Sequence, residues 1–294
     1  MGLWKLILKI LGCNRPSIKT TTTTTLTDQT TVKGYQKRAL CIGINNYPGT
    51  SNDLRGCVND AKEWKSLFAL KGFSVVKFLT DTNATPKNVK NDLLQLVNLS
   101  NPGDVLAITY SGHGTTTPDR NGDEEDGRDE AICLYGALMI DDEIRSILSQ
   151  VKEGVKVTFI SDSCHSGTVT RAFLAAVNNY DVYAKARYMP PEDDIEAISL
   201  GTFPLKKGIF IPEDGMKEVL LAGCKSTEYS YDAFFNGMNI GAFSHHALLI
   251  LRDNPRITYN DFYKKVRHAL PSGQYPQTPQ LEGSAENKNS YMFE

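Results

Sequence analysis

The sequence predicts an α/β fold with a mostly parallel central sheet flanked by helices on both faces. Three observations lead there. Apolar runs that read as buried strands alternate with stretches whose apolar residues recur at helical spacing, the pattern of a sheet covered on both sides. Two of these runs, residues 104–114 (DVLAITYSGHG) and 155–167 (VKVTFISDSCHSG), end alike in sharp, polar, glycine-bearing turns. Hydrophobic residues are 40% of the 294 and charged residues 22%, a composition that can fill the core such a sheet needs.

In chain order, residues 1–13 (MGLWKLILKILGC) form an amphipathic segment. Leu3, Trp4, Leu6, Ile7, Leu8, Ile10 and Leu11 line a helix, with Lys5 and Lys9 on its narrow polar edge, so the segment reads either as an interfacial anchor or as a helix packed on its own domain. Residues 14–34 are a Thr-rich linker containing the run Thr20 to Thr25, which has nothing to bury. The folded region begins near Tyr35 with a strand at 38–44. A helix capped by Asn59 or Asp60 follows and ends at Gly72, with Trp64, Leu67, Phe68 and Leu70 at helical spacing. Next come a strand at 74–79, a helix with Thr85 as cap and Pro86 at its first position, and the strand that ends at His113. Residues 119–130 (DRNGDEEDGRDE) are an acidic loop with seven carboxylates against two arginines. A short strand at 131–134, a helix opening at Asp141 or Asp142, and the strand to Cys164 complete this half. Residues 170–216 lose periodicity and read as an exposed insertion. Order returns with a strand at 217–224, helices at 241–253 and after Thr258, and an edge strand in the tail TPQLEGS. There are no internal repeats.

The formal net charge of −2 gives no field to attract nucleic acid. Six cysteines stand at 13, 41, 57, 133, 164 and 224 without a CxxC pair, which points to free thiols in a reducing, cytoplasmic setting. No apolar run approaches the ~20 residues needed to span a bilayer, so any membrane contact is peripheral and made through residues 1–13.

Cys164 and His113 carry the chemistry. In parallel sheets, ligands bind beyond the carboxyl ends of the strands, and both residues lie at such ends. A thiol attacks a carbonyl as thiolate, and a neighbouring imidazole takes its proton and returns one to the leaving amine. The backbone amides of Gly114 and Cys164 can converge as an oxyanion hole. Ser111, Gly112, Gly114 and Gly167 leave room for a polypeptide backbone. Either residue taken singly also reads as structural, Cys164 as a core thiol and His113 as a turn residue. Two similar turns 51 residues apart favour peptide-bond hydrolysis.

The motifs SGHG and DSCHSG, with LRGCVNDA at 54–61, resemble the caspase-like cysteine peptidases, specifically the metacaspases and orthocaspases, over roughly residues 37–285. The resemblance implies the caspase-hemoglobinase fold, His113 and Cys164 as a catalytic dyad, a large-subunit-like region at 35–169, a linker at 170–216 and a small-subunit-like region at 217–294. It implies a pocket for the residue before the cut built from Cys57, Asp60, Ser111 and Asp162, whose two carboxylates select Arg or Lys. A monomeric zymogen that cuts itself within 170–217 follows, with Arg171, Lys185, Arg187, Lys206, Lys207 and Lys217 as candidate sites. The stretch AGCKSTEYSYD also resembles the family, Ser226 replacing an expected Asp and Asp232 matching.

The chemistry requires no cofactor. Calcium is the metal to consider, because Asp129, Asp141 and Asp142 match family ligands, although Arg171 stands where a fourth carboxylate belongs. The register of Asp119, Asn121, Asp123 and Glu130 is not an EF-hand, since Glu124 replaces the turn glycine. His245 and His246 read as structural. Two other readings are a non-catalytic, membrane-tethered scaffold and a calcium-responsive regulator.

Overall fold

The computed structural model describes residues 34–49, 51–119, 122, 127–164, 184–190 and 213–294. The amphipathic segment, nearly all of the Thr-rich linker, half of the acidic loop, Arg171, Lys206 and Lys207 lie outside the described residues.

The first half runs β1 (Lys37–Gly43), α1 (Cys57–Leu70), β2 (Val75–Thr80), α2 (Pro86–Leu99), β3 (Val105–Ser111), β4 (Gly114–Pro118), β5 (Arg128–Leu134), β6 (Ala137–Ile140), α3 (Asp141–Leu148) and β7 (Lys156–Asp162). After it come β8 (Lys185–Ala186), β9 (Glu218–Ala222), β10 (Tyr231–Phe235), β11 (Met238–Gly241), α4 (Ala242–Asp253), α5 (Tyr259–Ala269), β12 (Gln280–Glu282) and α6 (Ala285–Asn289). The main sheet has the order β12-β9-β7-β3-β1-β2. All its pairings are parallel except that of β12 with β9.

Strand periodicity sorts the core into two layers. Ala39, Cys41, Val105 and Ala107 face one side, packing with Trp64, Leu67 and Phe68 of α1, Phe243 and Leu248 of α4 and Phe262 of α5. Leu40, Ile42, Leu106 and Ile108 face the other, with Val89, Leu93 and Leu96 of α2 and Ile144 and Ile147 of α3. Alternate residues of one strand therefore serve opposite layers, which is why these strands read as unbroken apolar runs.

Thr85 accepts from the backbone N–H of Asn88, the cap geometry expected from sequence, and Thr258 likewise accepts from that of Asp261. The cap expected for α1 differs. The helix starts earlier, at Cys57 after Gly56, with no side-chain cap. Asn59 and Asp60 are engaged elsewhere: Asn59 Nδ2 donates to Asn239 O at 2.9 Å, and Asp60 Oδ1 accepts from Gly241 N at 2.8 Å.

Two smaller sheets escape the sequence reading beyond residues 131–134. One is the antiparallel set β4-β5-β6, and the other is β11-β10-β8. The β10–β11 hairpin turns on Asn236 and Gly237, whose φ values of 51° and 86° suit a two-residue loop, with Phe235 paired to Met238. In the 170–216 stretch, read as exposed, the described residues 184–190 are instead largely buried. Ala184, Ala186, Arg187, Tyr188 and Met189 are each 8% exposed or less.

Candidate active site

The register of the central strands brings the two candidate residues together. Ser111 at the end of β3 pairs with Asp162 at the end of β7, and His113 and Cys164 each follow two residues later. Both are buried, at 1% and 0% exposure.

His113 is held on both sides of its backbone. Its N–H donates to the Tyr47 hydroxyl at 2.8 Å, and the Tyr110 hydroxyl lies 2.6 Å from its carbonyl oxygen. Gly112 serves this clamp rather than an approaching substrate, because a Cβ there would collide with the hydroxyls of Tyr110 and Tyr47. The ring stacks obliquely on Tyr47 with centroids 4.9 Å apart, and Nε2 lies 2.6 Å from Asn52 O. A carbonyl only accepts, so Nε2 carries the proton of the neutral ring and the lone pair is on Nδ1. That Nδ1 is buried without a hydrogen bond among the described residues. Burial pushes the His113 pKa down to about 3. The Asn52 carbonyl opposes the shift, and the charges of Lys185 and Arg187 add to it. The resting imidazole is therefore neutral.

The Cys164 thiol points toward Ser230 O, 3.9 Å away. Its backbone N–H and that of Gly114 converge on one oxygen, the carbonyl of Arg187, at 3.3 and 3.0 Å. Two N–H groups thus point at a single carbonyl oxygen, and that carbonyl belongs to the chain itself.

The rest of Arg187 is also engaged, except for Nε, which is buried with no hydrogen bond among the described residues. Its N–H donates to Ser230 O at 2.9 Å, and Lys185 and Ala186 pair antiparallel with Asp232 and Tyr231 of β10, extending that sheet by one short strand. The guanidinium is 0% exposed and meets three carboxylates. Nη2 lies 2.6 Å from Asp60 Oδ2 and 3.0 Å from Asp232 Oδ1, and Nη1 lies 3.0 Å from Asp162 Oδ2. Asp162 is fixed from behind, accepting from the Ser230 hydroxyl and from Ser244 N and Oγ at 3.0 and 2.7 Å. Asp232 accepts from the N–H groups of Arg55 and Gly56 at 2.8 and 2.9 Å. Gln277 steadies this wall, accepting from Tyr231 N at 3.2 Å and donating to Gly223 O at 2.8 Å.

The electrostatics of the cluster favour a cation. Burial works against the charge of Arg187, but the carboxylates of Asp162 and Asp60, with Cys57 and Asp232, outweigh it and hold its proton more firmly than in water. Burial pushes Asp60 up to about 7 even with Arg187 pulling it down, because Asp162 and Asp232 share the space. Cys57 is buried beside them, its thiol pushed well up by burial. Ser111 Oγ is buried with no hydrogen bond among the described residues.

A family profile described as the metacaspase, peptidase C14 domain matches residues 37–172. Metacaspase-1 of Kluyveromyces lactis is 31% identical over 297 residues, which span 88% of this chain and 68% of the relative. The chain belongs to the metacaspase family. It is thus a cysteine-type peptidase acting on polypeptides. Metacaspase-1 of Candida glabrata is 30% identical over 287 residues, covering 85% of this chain and 73% of the relative. Among solved structures, a Geobacter sulfurreducens protein matches with a TM-score of 0.68 at 26% identity, covering 88% of this chain and 98% of that one. Caspase-1 from Spodoptera frugiperda matches with a TM-score of 0.54 at 10% identity, covering 85% and 87%. The metacaspase therefore has the caspase-hemoglobinase fold.

Of the residues expected from sequence, the structure gathers His113, Cys164, Gly114, Asp60, Asp162 and Cys57 around Arg187. Asp232, which matched the family pattern, joins them as a third carboxylate, and the structure adds Ser230 as a backbone acceptor and Tyr47 and Asn52 as supports for His113. The signal for Asp232 was present in the SYD motif, and that for its hairpin in Asn236-Gly237. The calcium candidates lie elsewhere. Asp129 is buried on β5, while Asp141 and Asp142 are half-buried at the start of α3, where Asp141 sits 3.6 Å from Arg145. Among the described residues no group of three His, Cys, Asp or Glu side chains is placed to hold a metal ion. The five described cysteines are free and buried. His245 stacks on Phe235 with centroids 3.9 Å apart, as a structural residue would. Among the described residues no helix is long and apolar enough to cross a membrane.

Proposed function

We propose that this metacaspase is an endopeptidase cutting after arginine or lysine through His113 and Cys164, and that its own Arg187–Tyr188 bond is its first substrate. One observation carries the reading. A single residue has its carbonyl between the N–H groups of Gly114 and Cys164 while its guanidinium sits among Asp60, Asp162 and Asp232. Among the described basic residues of the linker and its border, Lys185 and Lys217 direct their ammonium groups to backbone carbonyls instead.

The proposed reaction has two halves, acylation of the thiol and hydrolysis of the thioester. His113 Nδ1 takes the thiol proton as Sγ attacks the Arg187 carbonyl carbon, and the oxygen's developing charge is met by the two N–H groups. The C–N bond to Tyr188 breaks, and its electron pair takes the proton from Nδ1, releasing Tyr188 as a new amino terminus. Water then adds to the thioester carbon, giving one proton to Nδ1; the C–S bond breaks, Sγ takes that proton, and Arg187 leaves as a carboxylic acid that ionises to solvent.

While Arg187 fills the pocket no other arginine can enter, so the uncut chain is a zymogen. Once it leaves, three carboxylates confined in one pocket demand a cation. Arg is favoured over Lys because Nη1 and Nη2 reach different carboxylates at once, which one ammonium cannot do.

Fluorogenic peptides ending in Arg, Lys or Asp test the reading. The expected order is Arg over Lys, with no turnover of Asp and none by Cys164→Ala. Turnover of the Asp peptide, or equal turnover by Cys164→Ala, contradicts it.

A further inference from the structure

Binding of the chain's own segment continues past Arg187. Met189 N donates to Gly114 O at 3.0 Å, and Gly114 bridges to Tyr188 in parallel register. Gly114 thus holds the backbone on both sides of the bond, through its N–H to Arg187 and its carbonyl to Met189. Tyr188 packs near Tyr229 with ring centroids 5.9 Å apart. Met189 is 7% exposed and belongs to the core layer that includes Tyr47, Leu54, Cys133, Leu134 and Leu138. Beside it lies a cavity of about 200 Å³ lined by Tyr47, Pro48, Asn52, Cys133, Leu134 and Leu138.

Resting on the cleavage reading above and extending it, we infer that this cavity is a specificity pocket for an apolar side chain two positions after the cut. The occupant is a polypeptide substrate, for which Met189 is the intramolecular stand-in. The lining offers apolar surface, and the space left beside Met189 admits Leu or Phe as well. Its wall is also the support of the dyad. The Tyr47 hydroxyl accepts from His113 N, its ring packs on the imidazole, and Asn52 supplies the carbonyl facing Nε2. A side chain that fills the pocket therefore braces the residues that orient His113, and a polar one leaves that wall unpacked. Selection then extends to the leaving side of the bond, which peptides carrying a fluorophore directly after arginine do not sample.

Internally quenched peptides built on Lys-Ala-Arg-Tyr-Met-Pro, the sequence 185–190, test this with self-cut full-length enzyme. Leu, Phe, Ser or Asp replaces the Met, and product masses verify the bond cut. The expected result is kcat/KM for Met, Leu and Phe about tenfold or more above that for Ser and Asp, as the transfer free energy of one such side chain implies. Equal kcat/KM across the series, with every peptide still cut after Arg, overturns the pocket and leaves the cleavage reading standing. Failure to cut any peptide after Arg overturns both.

Discussion

Asp162→Asn removes one charge from the pocket while keeping its shape. Asp162 Oδ2 faces Arg187 Nη1 at 3.0 Å and accepts from Ser244 N and Oγ, and Oδ1 takes the Ser230 hydroxyl. An asparagine can present its oxygen to the arginine and to Ser244, and its amide to Ser230, whose hydroxyl can accept, so the packing is retained. What is lost is the charge opposite a guanidinium in a site closed to solvent. Removing one partner of a buried pair costs about 3–5 kcal/mol, and the carboxylates left at Asp60 and Asp232 reduce this to roughly 3 kcal/mol, about a hundredfold in kcat/KM. The assay is kcat/KM for an Arg peptide with purified enzyme, read beside thermal melting to show that the fold persists. The Lys peptide should lose a similar factor and a Leu peptide should gain relative to both. A loss below about fivefold in a folded variant, or equal losses for Arg and Leu peptides, would refute the idea that Asp162 acts as a charge partner.

Three other outcomes follow from the same geometry. Asp60 is pushed up to about 7 with arginine in the pocket, so it gains its charge as pH rises, and kcat for Arg peptides should rise through pH about 7. The kcat/KM limb should lie at higher pH, because the free pocket lacks the guanidinium that pulls Asp60 down, and Asp60→Asn should remove both limbs. Lys185 Nζ donates to Ser51 O and Asp53 O at 3.1 and 2.8 Å, so peptides with Ala in place of Lys two positions before Arg should lose about fivefold in kcat/KM. Tyr47→Phe leaves the buried His113 N–H without its acceptor, which should cost about 1–3 kcal/mol in the Cys164→Ala background and, in active enzyme, lower kcat more than it changes KM.

The sheet and the neighbouring placement of the His113 and Cys164 turns were legible because each rests on local pattern. Strands such as β3 are buried on both faces and read as apolar runs, and the turns at His113 and Cys164 share one design at the ends of two paired strands. The pocket was half legible. Asp60 and Asp162 lie in recognisable motifs, whereas Asp232 comes from a hairpin whose strands are short and rich in Tyr and Phe, so its Asn-Gly turn was the clearer signal. Arg187 was not distinguishable from its basic neighbours, since a charged side chain reads as exposed unless its partners are known. Those partners come from α1, β7 and β10, which only the assembled fold brings together. Residues 115–117 were passed over for a related reason, as three threonines carry no apolar alternation yet are buried in β4.

The most direct test of the central claim is intact mass spectrometry of the full chain incubated beside its Cys164→Ala form. The arrangement around Arg187 predicts a fragment beginning at Tyr188 and a partner fragment ending at Arg187, with the Cys164→Ala chain left whole. A first cut at another bond, or the same cut in Cys164→Ala, would contradict it.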